Sequence, residues 1–335
     1  MVAKKFLSLI LGTVVLSTSI LVGCGDSKNT ADSSKNNLNI GVVQLVEHPA
    51  LDSAFKGFKE GLESKGFKDG ENIHLDFKNA AGDIPTAQTI ANDFASSKKD
   101  LILAIATPAA QASFNATKDI PILATAVTDH AKAGLVNSME KPETNVTGTS
   151  DMLPIDKQFD LMKKLIPNSK KVGILYNTSE ANSEVQLENA KNEASKRNLE
   201  IVERGISSSN DVSQALSSII SKVDVVYTLT DNIIASSMPL ISSMCLEKNI
   251  PIIGGEKAHV ESGALATDGI DYYELGFQTA LMAVEIINGE KPQDMPIERL
   301  KETKLTINEN VAKKMNIQIP EDLKDKAIMI KGGVN

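Results

Sequence analysis

Polar side chains cluster where predicted strands end, and their types suit the binding of a small charged molecule. Thr128 and Asp129 follow the fourth apolar run of the chain, and Asp231 follows a later one. Hydroxyl, amide and carboxylate groups bind a ligand by hydrogen bonds and charge, whereas covalent chemistry needs an activated nucleophile or a metal. The pattern therefore predicts a binding site. The other candidates of the same kind are Glu47, Thr107, Pro108, Ala109, Asp151, Asn177, Glu180, Asn182 and Asn232.

Several of these loops are also predicted to begin helices. Thr107 precedes Pro108, which is the order typical of an N-cap residue followed by proline at the first helical position. Asp231 or Asn232 similarly precedes Ile233. Backbone N–H groups at a helix start favour anions, so these ends are expected to face a ligand carboxylate. Each residue alone can equally be an ordinary helix cap, and it is their clustering that favours a binding role.

Sequence motifs for covalent chemistry are absent from the chain. It contains no GxxxxGK[ST], GxGxxG, HExxH or GxSxG. The sequence therefore lacks the motifs that bind nucleotide phosphates, that hold zinc in proteases and that form the nucleophile elbow of hydrolases. The histidines, His48, His74, His130 and His259, have no metal-ligand spacing, and Cys245 is interpreted as a buried apolar side chain. We therefore expect no enzyme activity, no cofactor and no metal.

The elements that must position these loops alternate between apolar runs and amphipathic segments. This rhythm predicts an α/β fold of two doubly wound lobes, in which a ligand lies at the carboxyl ends of the strands. The predicted strands are 38–44, 73–77, 101–106, 122–126, 172–176, 199–203, 224–228 and 251–253. The predicted helices are 50–65, 85–97, 108–116, 155–166, 181–197, 212–221, 233–248, 272–288 and 309–315.

Length and charge limit the class of protein further. The 335 residues exceed what a single core usually holds, which indicates two domains. The chain has 35 basic and 43 acidic residues, and its net charge of -8 repels the phosphates of nucleic acids. We therefore expect no nucleic-acid partner.

The start of the chain is typical of an exported protein. Lys4 and Lys5 precede an apolar run over 6–22, and small Gly23 precedes Cys24. This end resembles the bacterial lipoprotein box, which implies that 1–23 is a signal peptide and that Cys24 carries the lipid anchor. The polar segment 24–37 is interpreted as a flexible tether. An uncleaved membrane helix and an ordinary signal peptide are the alternatives.

Six short sequence runs along the mature chain indicate one and the same protein family. They are EHPALD at 47–52, AIATPAAQ at 104–111, TAVTD at 125–129, NVTG at 145–148, TDN at 230–232 and GIDYYELG at 269–276. Together and in this order they resemble the substrate-binding lipoproteins of ABC importers. More narrowly, they resemble the branch that binds tryptophan or phenylalanine.

The resemblance implies a type I periplasmic-binding-protein fold with a three-strand hinge. The first lobe would be 38–150 plus 272–300, and the second 154–268 plus 304–335. It also implies that a ligand captured between closing lobes is passed to an ABC permease and its ATPase, by a monomer anchored on the outer face of the cell membrane. The alternatives are another solute (an aliphatic amino acid, a nucleoside or a sugar) or a sensing lipoprotein without a transport role.

An amino-acid ligand needs partners for both of its charges. We expect Thr107, the backbone near Ala109 and Thr128 to bind its carboxylate, and Asp231 to bind its ammonium. Asn232, Asp151 and Glu180 are the alternative partners of the ammonium. The candidates for the border of the side-chain slot are Pro108, Tyr176 and Tyr227, although core packing is the simpler interpretation of the tyrosines.

Replacing the cysteine of the predicted lipid anchor tests this interpretation. Cys24→Ser removes the sulfur that would carry the lipid, so we expect the variant to be free of the membrane, whereas the wild-type chain stays with it. Fractionation followed by a carbonate wash measures the difference. A variant that still resists the wash would show that another segment holds the protein.

Overall fold

The computed structural model describes residues 37–332. The predicted signal peptide, Cys24 and nearly all of the predicted tether lie outside this range. No helix in the described range is long and apolar enough to cross a membrane.

The first sheet has six parallel strands in the order β11-β5-β4-β3-β1-β2, numbered along the chain. They are β1 Leu38–Gln44, β2 Ile73–Asn79, β3 Leu101–Ile105, β4 Ile122–Val127, β5 Val146–Ser150 and β11 Glu298–Arg299. The central strands β3 and β4 are apolar and buried throughout, as expected for strands covered on both faces. Strand β2 lies at one edge, and its polar residues alternate with apolar ones.

Four helices accompany the first sheet, and we call this assembly the first lobe. They are α1 Pro49–Ser64, α2 Ile84–Ser96, α3 Thr107–Ala116 and α10 Tyr272–Ile287. Helices α1 and α10 cross with their backbones in close contact. A Cβ added to Gly276 would lie 1.8 Å from the carbonyl oxygen of Ala54. Only glycine permits this approach, which fastens α10 to the first lobe although it follows most of the second lobe in the chain.

The second sheet has seven strands in the order β13-β12-β10-β9-β8-β6-β7, with only the β10–β12 pair antiparallel among the described residues. They are β6 Lys171–Asn177, β7 Glu200–Ile206, β8 Val225–Thr228, β9 Ile252–Gly254, β10 Ala266–Gly269, β12 Lys304–Asn308 and β13 Ile328–Ile330. This sheet and its helices form the second lobe. The helices are α4 Ile155–Leu165, α5 Ala181–Lys196, α6 Val212–Ile219, α7 Asn232–Ser236, α8 Met238–Glu247, α9 Lys257–Glu261, α11 Glu309–Lys314 and α12 Glu321–Lys324.

The chain passes between the two sheets three times, at 151–154, 270–271 and 300–303. The predicted α/β fold with a three-strand hinge is therefore confirmed. At the second crossing, Lys304 Nζ lies 2.9 Å from Asp271 and 2.6 Å from Glu274, so an ion-pair cluster joins the start of α10 to the start of β12.

The predicted helix over 233–248 is wrong in one respect, because the structure divides it into α7 and α8 at Ser237. Pro239 near the start of α8 has no N–H, and its ring cannot pack against the preceding turn of a continuous helix. Strand β10 was not predicted, since its sequence Ala-Thr-Asp-Gly has little of the β-branched and aromatic character that marks strands.

Candidate ligand-binding site

A small cavity lies between the two lobes, where the carboxyl ends of their strands face each other. Its volume is about 10 Å³, room for roughly one water molecule. Three carboxyl groups and no lysine or arginine border it among the described residues. The lining residues are His48, Leu51, Ala126, Asp151, Thr230, Asp231, Asn232, Ala235, Glu256 and Tyr272.

Glu180 is the centre of a polar cluster in the second lobe. Its carboxylate accepts hydrogen bonds from the amide groups of Asn177 at 2.9 Å, Asn182 at 3.1 Å and Asn232 at 2.6 Å. Burial and the nearby charge of Asp231 raise the pKa of Glu180. The sequence placed these residues at the ends of β6 and β8, and the structure brings them together.

Asp231 is fully buried and already accepts four hydrogen bonds. One oxygen accepts from the backbone N–H of Asn177 and the hydroxyl of Ser183, both at 2.6 Å. The other accepts from the N–H groups of Ile233 and Ile234 at the start of α7, so the predicted cap is confirmed. Asp231 therefore ties the loop after β6 to the loop after β8. Its role toward a ligand ammonium stays a prediction.

Asp151 lies at the first crossing between the lobes and faces the cavity. Its carboxyl accepts hydrogen bonds from the hydroxyls of Thr128, at 3.0 Å, and Tyr272, at 2.6 Å. Burial raises the pKa of Asp151, and the two hydroxyl donors only partly oppose this shift. No cation accompanies these groups at the cavity wall within the described range.

Glu256 is a further acid of the cavity that sequence reasoning missed. It follows β9 and is buried, and its side chain does not cap the short helix α9 that begins beside it. His259 Nε2 lies 3.3 Å from its carboxylate, while Nδ1 of the same ring lies 2.9 Å from the Thr228 hydroxyl. Burial, with the charge of Asp151, raises the pKa of Glu256 to about 8. Burial lowers the pKa of His259 to about 3, so this imidazole is neutral.

Side chains of the two lobes also touch directly across the cleft. His48 Nε2 lies 3.4 Å from the amide oxygen of Asn232, and the Gln186 amide donates to Thr128 at 3.3 Å. Lys132 and Glu188 form an ion pair of 3.5 Å at the rim. Burial lowers the pKa of His48 to about 4, so this ring too is neutral in the closed cleft.

Several predicted site residues do not border this cavity. Glu47 is exposed, and Asp129 accepts backbone N–H groups of its own loop. Pro108 and Ala109 are buried in α3.

The prediction that Thr107 caps α3 is wrong. The helix already begins at Thr107, and Ala106, with φ of 87°, occupies the cap position. The chain turns sharply after β3, so the helix begins one residue earlier than predicted. The buried Thr107 hydroxyl has no hydrogen-bond partner among the described residues. Tyr227 lies in the core against Phe159, as the simpler interpretation had it.

The local backbone of the first lobe shapes the cavity wall. The pairing of β4 with β5 shifts register between Ala124 and Val127, and Ala126 within this bulge has φ of 55°. Bulges redirect side chains next to sites, and strained residues gather there. Among the described residues, no group of three His, Cys, Asp or Glu side chains has the geometry to hold a metal ion.

A hinged pair of α/β lobes that closes on a polar cavity is the arrangement of a solute-binding protein. The family model for ABC transporter substrate binding proteins matches residues 39–331. The chain therefore belongs to the ABC transporter substrate-binding protein family, and the predicted family is confirmed.

Relatives that are named for their function agree with this assignment. The chain is 52% identical over 323 residues to the tyrosine-binding protein of Clostridioides difficile, covering 94% of this chain and 93% of the relative. It is similar to the structure of an ABC domain in complex with L-Trp from Streptococcus pneumoniae, at 39% identity and a TM-score of 0.85, covering 88% of this chain and 99% of that one.

A third comparison identifies the arrangement of the lobes. The ligand-free, open structure of a substrate-binding protein with adhesive properties from Clostridium difficile is 52% identical, with the same coverage of 88% and 99%, yet its TM-score is only 0.69. The less identical L-Trp complex matches better in shape, at 0.85. This order agrees with a closed arrangement of the lobes, which the contacts across the cleft show directly.

We expect Asp231→Ala to destabilise the protein in the absence of any ligand. The change leaves buried N–H and hydroxyl donors without their acceptor, which costs roughly 3 kcal/mol or more of the free energy of unfolding. The exposed cap Asp83, which accepts from Thr86, is the control, because Asp83→Ala removes an ordinary cap worth about 1 kcal/mol. Chemical denaturation measures both. Equal losses would contradict a special structural role for Asp231.

We expect acidification to open the cleft through His48. In the open arrangement an exposed His48 titrates near its ordinary value of about 6.5, whereas the closed cleft lowers its pKa to about 4. Between these values the open form binds a proton that the closed form does not. The free energy of closure therefore falls by up to about 1.4 kcal/mol for each pH unit below the higher value.

Solution scattering over this pH range, comparing wild type with His48→Gln, measures the effect. The glutamine amide can still donate to Asn232 but does not titrate. The cavity carboxyl groups shift the equilibrium in the opposite direction in both proteins, so the difference between the two curves reports His48. Identical curves would show that His48 does not govern closure.

Proposed function

We propose that this protein captures an aromatic amino acid between its lobes and presents it to the permease of an ABC importer. The family resemblance of the sequence favoured tryptophan or phenylalanine. The relative named a tyrosine-binding protein, at 52% identity, adds tyrosine to this set, and the similar structure that holds L-Trp supports the same class of ligand.

The observation that carries the proposal is the set of carboxyl groups that line the cavity. Asp151, Asp231 and Glu256 border the cavity, and no lysine or arginine does so among the described residues. Buried carboxylates need hydrogen-bond donors or a cation, and the ammonium group of an amino acid supplies both. Sugars and most nucleosides have no such group, so the cavity favours an amino acid over these alternatives.

The size of the cavity requires the lobes to move. A volume of about 10 Å³ holds roughly one water molecule, so an aromatic amino acid enters only when the lobes part. On binding, the ligand takes the place of contacts that now cross the cleft, such as that between His48 and Asn232. The three-strand hinge permits this movement while each lobe remains rigid.

The carboxylate of the ligand is proposed to face the first lobe. The unpartnered hydroxyl of Thr107 and the first N–H groups of α3 lie at one end of the ten-residue helix, where the helix dipole favours an anion. Thr128 lies on the same lobe and contacts Asp151. Apolar side chains of Leu51, Ala126 and Ala235, together with the ring of Tyr272, would border the side chain of the ligand.

Three further points belong to the proposal. Relatives in this family are solute-binding proteins, and we propose that this chain likewise returns its ligand unchanged. Substrate-binding proteins of ABC importers act outside the cytoplasm. A lipid on Cys24 would hold this one, as a monomer, at the outer face of the membrane near its permease and ATPase.

A binding screen tests the proposal. We expect L-tyrosine, L-tryptophan and L-phenylalanine to raise the melting temperature, because a ligand at about 100 times its Kd stabilises the native state by about 2.7 kcal/mol. The same ligands should reduce the radius of gyration of the open protein in solution scattering. L-leucine is the control for the aromatic slot. A response to L-leucine alone, or to a sugar or nucleoside, would contradict the aromatic assignment.

A further inference from the structure

Glu256 has few polar partners within the protein and borders the cavity between the lobes. It lies at the carboxyl end of β9, which is the edge of the second sheet that faces the cleft, and it is 2% exposed. Its side chain does not cap α9, and its carboxylate accepts no hydrogen bond from a described residue. Buried carboxylates elsewhere in this protein are used differently, since Glu180 and Asp231 are surrounded by donors.

The histidine beside Glu256 does not neutralise it. Burial lowers the pKa of His259 to about 3, so the ring carries no charge at neutral pH. Its Nε2 atom, although 3.3 Å from the Glu256 carboxylate, is buried without a hydrogen-bond partner, so the contact lacks the alignment of a hydrogen bond. The Nε2 atom of His259 thus remains a buried polar group without a partner, which is a costly arrangement for a protein interior.

A second carboxyl group shares the cavity with Glu256. Asp151 borders the same space and accepts hydrogen bonds only from the hydroxyls of Thr128 and Tyr272. The charge of Asp151 contributes to the raised pKa of Glu256, as expected for two acids that line one small cavity. Like charges held in one buried space favour protonation of one group or the arrival of a cation.

We infer that Glu256 and Asp151 together receive the ammonium group of the ligand, and that Glu256 is the residue that makes closure depend on that group. This inference rests on the proposed function and narrows it. An ammonium has three N–H donors, which suffice for one bond to each acid and one to a further acceptor.

Glu256 comes from the second lobe, whereas Asp151 lies at the hinge and is hydrogen-bonded to Thr128 of the first lobe. A ligand ammonium between them therefore joins the lobes by charge. A ligand without an amino group would leave both acids facing each other in the closed cleft. The geometry thus assigns the pair a role in specificity, because it penalises ligands that lack the cation.

Paired variants and paired ligands test this inference. Glu256→Gln keeps the shape of the side chain and removes its charge, and Glu261→Gln makes the same change at an exposed position of α9. The ligands are L-tyrosine and 3-(4-hydroxyphenyl)propionate, which lacks the amino group. Calorimetry gives each Kd, and the ligand-free melting temperature shows that each variant is folded.

We expect Glu256→Gln to raise the Kd for L-tyrosine by roughly 100-fold or more, because the buried ammonium then loses one of its two acidic partners. Glu261→Gln should change it by no more than about twofold, as exposed charges do. The amine-free ligand should bind the wild type weakly and should bind Glu256→Gln at least as well. An unchanged Kd for L-tyrosine in the folded Glu256→Gln protein would overturn the inference and leave the proposed function intact.

Failure of the proposed function gives a different result. If the wild type binds none of the aromatic amino acids but binds another amino acid, the aromatic assignment fails, and Glu256→Gln is measured with that ligand by the same criterion. If the protein binds only amine-free solutes, or binds none of the twenty amino acids, both the proposed function and the role of Glu256 are wrong.

Discussion

A carboxylate buried away from water needs hydrogen-bond donors or a cation, and the cleft of this protein meets that requirement in two ways. In the second lobe, Glu180 and Asp231 are surrounded by amide, hydroxyl and backbone donors of the same lobe. At the cavity, Asp151 has two hydroxyl donors, and Glu256 has none from the described residues. The first pair therefore holds the loops in either arrangement of the lobes, whereas the second pair changes its surroundings whenever the lobes move.

The contacts that cross the closed cleft are long and polar. The hydrogen-bond distances between His48 and Asn232 and between Gln186 and Thr128 are 3.4 Å and 3.3 Å, and the ion pair at the rim is exposed. Such contacts add little stability after the loss of water and side-chain freedom. These three contacts therefore favour closure only weakly, which leaves room for a ligand that bridges the lobes to decide it.

Much of the fold follows from hydrophobic patterning, because buried parallel strands such as β3 and β4 form continuous apolar runs. The rule that ligands lie beyond the carboxyl ends of strands found the cluster around Glu180. Applied to the strand that ends at Gly254, the same rule would have found Glu256, whose burial is decided by tertiary packing. No sequence pattern shows that Asp231 already accepts four hydrogen bonds, because one of its donors, the N–H of Asn177, comes from the end of β6, which is distant in sequence.

Helix α10 belongs to the first lobe, but the chain reaches it only after β6–β10 of the second lobe. The close crossing of Gly276 against Ala54 cannot form until that long segment has been made. The entropy of closing so large a loop must be overcome before the contact contributes any stability. The second lobe is interrupted in the same way, because β12 and β13 follow α10 and β11 of the first lobe. The first lobe is therefore completed only after the second crossing of the chain and the second lobe only after the third, so neither lobe can finish folding before most of the chain has been synthesised.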